Sequence, residues 1–215
     1  MGIKHIETEF SPIGTSIRGM TTASGATARE LVYTRSFNAP RESVFGAWTE
    51  PKKLARWWGP HGMTNPVCNV DLRPGGRYRI VMRAPNGVEY PLKGEFREVL
   101  RPARLIFTVD AEEHPAEWHA MLRRYLAPGS AEKGLHAVVT VTFEKSARGT
   151  DITILNEYDS VEIRDAVVKM GSNDGWAQSL ERLEFLLKKT HPKKRARREE
   201  HDSARHLSPR HHARW

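Results

Sequence analysis

N173-D-G-W-A-Q-S-L-E-R-L-E-F-L-L-K-K189 is the most regular stretch of the chain. Trp176, Leu180, Leu183 and Leu187 recur at helical intervals, which predicts one apolar stripe on a helix over 173–189. Asn173 or Asp174 can cap its start by accepting an orphan backbone N–H. Glu184 and Lys188 form a favourable i,i+4 pair, and Lys188 and Lys189 complement the dipole at its end. His191-Pro192 stops it, because proline restricts the residue before it. A stripe of this kind needs a surface to cover, and the residues upstream supply a sheet.

Working backwards, L135–F143 and T150–Y158 read as a strand pair around Ala147-Arg148-Gly149, and 162–169 as a short helix before Gly171. Leu105–Val109 and Leu92–Leu100 are strands joined at Arg101-Pro102. Tyr78, Ile80 and Met82 alternate between Pro74-Gly75-Gly76, which suits a type II turn, and Asn86-Gly87, a hairpin signal. Cys68, Val70 and Leu72 alternate before that. Glu30–Phe37 is a first strand. Two short helices follow it, one after Pro40 and one after Pro51, the second carrying Leu54, Trp57 and Trp58. Seven strands result, and their short connections predict antiparallel pairing. Residues 111–134 exceed what a hairpin needs. Within them Trp118, Met121, Leu122 and Tyr125 predict a short amphipathic helix, expected on a sheet edge or as a lid over a cavity.

The chain has 215 residues, 39% of them hydrophobic, and a formal net charge of +8. From Lys189 to Trp215 nine Lys/Arg face three acids, so most of that excess lies in the tail and the remainder is nearly neutral. Three parts are expected: a flexible extension over 1–28, a domain over 29–188 with an inserted helical segment at 111–134, and a basic, His-rich disordered tail over 189–215. The tail run K193-K-R-A-R-R198 offers weak, salt-sensitive phosphate contact at most, with no aromatics interleaved for stacking. Cys68 is the single cysteine, no apolar run reaches membrane-span length, and the start lacks a signal peptide's apolar core. A cytoplasmic setting is the expectation.

The order strand, two short helices, six strands, long helix is that of an α+β helix-grip fold, the START-like or Bet v-like architecture. The run W48-T-E-P-K-K-L-A-R-W-W-G-P60 resembles the family of activator of heat-shock protein 90 ATPase homologues, C-terminal domain, within the SRPBCC or START-like superfamily. D71-L-R-P-G-G76, P85-N-G87, G94-E-F-R-E-V-L-R-P-A-R-L-I-F107, V139-T-V-T-F143 and G175-W-A-Q-S-L-E-R-L183 match it in the same order. The resemblance implies a curved antiparallel sheet wrapped round the C-terminal helix, with a pocket between them for a hydrophobic small molecule. Tyr78, Ile80, Met82, Phe96, Phe107, Trp176 and Leu180 are the expected lining. An alternative is a polyketide cyclase- or dehydratase-like enzyme in the same cavity, with Glu95, His136, Glu157 and Tyr158 as acid–base candidates. No hydrolase elbow, zinc-helix spacing or phosphate loop is found, and neither a metal nor a cofactor is called for. Direct chaperone activation is not expected, because the short N-terminal extension cannot be the separate domain that precedes this one in the family's namesake.

Overall fold

In the computed structural model, residues 15–25, 27–126 and 135–190 are described. The strands are β1 (Thr15–Ile17), β2 (Met20–Ser24), β3 (Glu30–Phe37), β4 (Thr64–Val70), β5 (Arg77–Arg83), β6 (Glu89–Leu100), β7 (Arg104–Asp110), β8 (His136–Ser146) and β9 (Gly149–Tyr158). They form one antiparallel sheet in the order β1-β2-β3-β9-β8-β7-β6-β5-β4. The helices are α1 (Arg41–Thr49), α2 (Pro51–Trp57), α3 (Ala116–Arg124), α4 (Val161–Lys169) and α5 (Ser172–Thr190).

The elements follow from the residues. Tyr78 and Ile80 on β5 are buried while Arg77 and Arg83 are exposed, the alternation that puts one face of a strand on a core. Gly75 supplies the positive φ (75°) that the third residue of a type II turn requires. On α4, the Ser160 hydroxyl accepts from the Ile163 N–H and caps the helix.

The helix α5 lies against the concave face. Leu180, Leu183 and Leu187 are buried, joined by Ala177 and Leu186, as the stripe predicts. Its start is held differently from the expected cap: the Tyr33 hydroxyl donates to Asn173 Oδ1 (3.1 Å), tying the first turn to β3. The proposed stop at His191-Pro192 lies outside the described residues, as do the basic tail beyond 190 and its phosphate-contact run.

Two expectations change. The sheet has nine strands rather than seven, because part of the stretch expected as a flexible extension pairs with it. β2 pairs antiparallel with β3, Met20 is fully buried, and the β1–β2 turn uses Arg18 (φ 50°) and Gly19 (φ 75°). Arg35, buried on β3, bonds the Arg18 carbonyl (3.0 Å) and pairs with Glu184 on α5, so the hairpin is fastened to the helix it borders. The second change concerns α3. The strands it connects, β7 and β8, are adjacent interior strands rather than edge strands, and its Trp118 reaches the cavity described below.

Candidate functional site

The sheet and α5 do not fill all the space between them. At the α4 side of α5 a cavity of about 300 Å3 remains. Strands contribute Leu92, Val109, Ala137, Val139, Asn156 and Tyr158. Helices α4 and α5 and their joint contribute Val167, Met170, Ser172, Trp176 and Ser179. Trp58, Pro60, Met82, His114, Trp118 and Leu135 complete the lining. Trp118 brings α3 onto the cavity wall, while Leu122 anchors that helix in the core. Trp58 and Trp176 meet edge to face (centroids 5.7 Å), Trp48 stacks on Trp176 (6.2 Å), and Trp57 packs tilted against Trp48 (4.8 Å), so this wall is backed by packed aromatic rings.

No Asp, Glu, Lys or Arg lines the cavity among the described residues. Its polar groups are few. Ser179 Oγ donates to its own helix at Gly175 O (2.7 Å), and Ser172 Oγ is engaged with the Tyr33 hydroxyl (3.3 Å). Asn156, 4% exposed, makes a long amide contact to Leu31 O (3.5 Å). Tyr158 is 5% exposed, and burial drives its phenol pKa upward. His114 stands edge-on to Tyr90 and Trp118 (centroids 5.5 and 4.6 Å), and neither ring nitrogen has a partner among the described residues. Burial, reinforced by His119, pushes its pKa down to about 4 against the opposing pull of Asp110, so the ring is neutral at neutral pH.

Residues 38–188 match the family model described as Activator of Hsp90 ATPase homolog 1-like protein. The chain belongs to this family. Among solved structures, one from Nitrosomonas europaea is 28% identical, covering 77% of this chain and 98% of that one, with a TM-score of 0.62. One from Mycobacterium smegmatis is 25% identical, covering 79% and 98%, with a TM-score of 0.63. A Rhodobacter sphaeroides protein, 23% identical over 78% of this chain and 97% of its own, shares the fold with a TM-score of 0.64. No curated protein matches the chain.

Within this member of the Activator of Hsp90 ATPase homolog 1-like family, the expected lining separates into two groups. Met82 and Trp176 reach the cavity. Tyr78, Ile80, Phe96 and Phe107 sit at the other end of the concave face, round a void of about 20 Å3. That is room for about one water. There the rings of Tyr78, Phe96 and Phe107 pack against each other at 5.7–6.0 Å. Leu180 has no exposed surface and lines neither space, so it belongs to packed core. Large rings on β5, β6 and β7 meet and exclude a ligand, whereas Ala137, Val139 and Ser179 leave room for one.

The acid–base candidates also divide. Tyr158 alone lies on the cavity. Glu95 and His136 border a separate groove with Arg77, Lys93 and Arg97. Glu157 pairs with Arg29 (2.9 Å). Sequence reasoning missed Asn156, His114 and Trp118 as wall residues. Asn156 and Tyr158 share the inward register of β9, so alternation could have paired them. The position of His114 depends on how 111–126 folds back, which no local pattern encodes. Among the described residues no helix is long and apolar enough to cross a membrane.

Proposed function

We propose that this protein binds a small hydrophobic molecule in the cavity between α5 and the concave face of its sheet. The observation that carries this reading is the cavity itself: about 300 Å3, walled mainly by apolar side chains, with a few polar groups. That is the usual character of a small-molecule site, at the lower end of the usual size range. The half-buried Cys68, its thiol pushed up to about 11 by burial, is inert in this scheme and suits a reducing cytoplasm.

Cyclase- or dehydratase-like catalysis in the same space is the weaker reading. Proton transfer near neutrality needs a group titrating near neutrality. The two ionisable groups on the wall are driven away from it in opposite senses, His114 downward and Tyr158 upward. Binding asks only for shape and dry walls, which these side chains provide.

Thermal unfolding of the full chain against a panel of small lipophilic compounds tests the reading. A ligand present at about a hundredfold over its Kd stabilises by about 2.7 kcal/mol. In a chain of this size that corresponds to a rise of roughly 5–10 °C in Tm. Ala137→Leu, which fills the cavity, is expected to abolish the rise while leaving the unliganded Tm unchanged or higher. A panel in which no compound raises Tm, together with no small molecule retained in native mass spectrometry, overturns it.

A further inference from the structure

Three features of the cavity, taken together, narrow the ligand, on the reading that the cavity binds one. The first is its aromatic content: Trp58, Trp118 and Trp176 all contribute surface. Indole rings reward flat partners that can stack or meet them edge to face. The second is charge. The wall carries no ionised side chain among the described residues, and His114 is neutral. The charges of Asp110 and Arg164 reach His114 and Tyr158, but each is countered by a partner, Asp110 by Lys93 (3.6 Å) and Arg164 by Asp165 (3.2 Å). A charged ligand would lose its hydration with nothing to replace it.

The third is a pair of polar groups on one strand. Asn156 and Tyr158 are two residues apart on β9, hence on the same face and about 7 Å apart along it. Both are at least nine-tenths buried and both line the cavity. Among the described residues, the Tyr158 hydroxyl and Asn156 Oδ1 have no hydrogen-bond partner, and neither is sealed off inside the protein. A buried hydroxyl and amide oxygen left this way favour a ligand that satisfies them.

We infer that the cavity selects an uncharged aromatic molecule bearing a hydroxyl group, which donates to Asn156 Oδ1 and accepts from the Tyr158 hydroxyl. The rings lie among the three tryptophans, and the hydroxyl faces β9. Anionic amphiphiles are disfavoured because no cation lines the wall among the described residues and Arg164, whose charge reaches Tyr158, is already paired with Asp165.

Calorimetric titration of the full chain with three probes tests this: 2-naphthol, 2-methylnaphthalene and naphthalene-2-sulfonate. The wild-type chain is expected to bind 2-naphthol roughly fivefold more tightly than 2-methylnaphthalene, the worth of about one net hydrogen bond. The sulfonate is expected not to bind. Tyr158→Phe and Asn156→Leu, each checked for a native circular dichroism spectrum, should reduce the naphthol preference to less than about twofold while 2-methylnaphthalene still binds. Sulfonate binding as tight as naphthol binding, no naphthol preference in the wild type, or a preference that survives both substitutions overturns the inference and leaves the cavity reading standing. Failure of all three probes to bind the wild-type chain overturns the cavity reading and this inference with it.

Discussion

Arg182 shows how much one side chain on α5 holds together. Its guanidinium donates to the carbonyls of Trp58, Gly59 and Pro60 (3.2, 2.7 and 2.8 Å) and to those of Arg56 and Met63 (3.2 and 3.0 Å). The Arg56 and Trp58 carbonyls belong to the end of α2 and the other three to the loop that follows it, and a planar five-donor fork suits such a cluster as an ammonium cannot. Arg182→Lys is therefore expected to lower stability in urea unfolding by about 1–3 kcal/mol. Leu180→Ala should cost about 2–5 kcal/mol, since the residue is enclosed in core, with little effect on the affinity of any cavity ligand. At His114 the folded-state pKa lies below the unfolded value, so its neutral ring contributes stability in full above about pH 6.5. That contribution falls as pH drops from there toward about 4. NMR titration should find the His114 ring unprotonated at pH 6, and His114→Phe should flatten the stability profile between these limits.

Among the elements, the β1–β2 hairpin is the addition that depends most on a long-range tie. It borders β3 and is joined to α5 through Arg35 and Glu184. Partial burial works against the Glu184 carboxylate, but Lys188 and Arg35 outweigh it and hold the pKa below the ordinary value. A depressed carboxylate pKa contributes stability above the unfolded value, near 4.3, and loses it as pH falls through the folded one. Amide exchange at Thr21–Ala23 should accordingly accelerate below about pH 4. Arg35→Met should bring the same acceleration at neutral pH. α3 is tethered through the segment before it, where Glu113 accepts from Arg79 and bridges to Lys93 (2.6 and 3.3 Å), contacts that draw its pKa down to about 2. Its stripe was legible in the sequence as a helix. Its position was not, because Trp118 acquires a role only where the segment folds over the cavity.

At the scale of the whole molecule, the concave space is divided by side-chain size. Where Tyr78, Phe96 and Phe107 meet Trp48 of α1 and Leu54 of α2, side chains fill the space; where Ala137 and Val139 of β8 lie opposite Ser179 of α5, a cavity remains. Gly94, paired with Tyr78 of β5, lies where β6 passes close to β7. A Cβ there would stand 1.9 Å from Thr108 O, so Gly94→Ala is expected to force β6 from β7 and lower Tm by several degrees in calorimetry. Cavity substitutions such as Ala137→Leu should leave Tm intact and act on ligand uptake alone, which separates fold residues from binding residues.

The sequence by itself determined the helix-grip architecture. Strand alternation, the turns at Pro74-Gly75 and Asn86-Gly87 and the Trp176–Leu187 stripe are local patterns of period two or about three and a half, and short range suffices to read them. It also carried the family, through motifs that keep their order along the chain. The cavity's position was decided only by the tertiary structure. Whether an inward-facing side chain becomes core or wall depends on the size of what lies opposite it, and those partners come from segments far apart in the chain. Tyr78 and Leu180 looked like wall and are core; His114 showed no pattern and is wall, and Asn156, though in the inward register of β9, is wall because small residues lie opposite it. Met20 lay in a stretch with no sustained periodicity, yet pairing of its strand with β3 buries it completely.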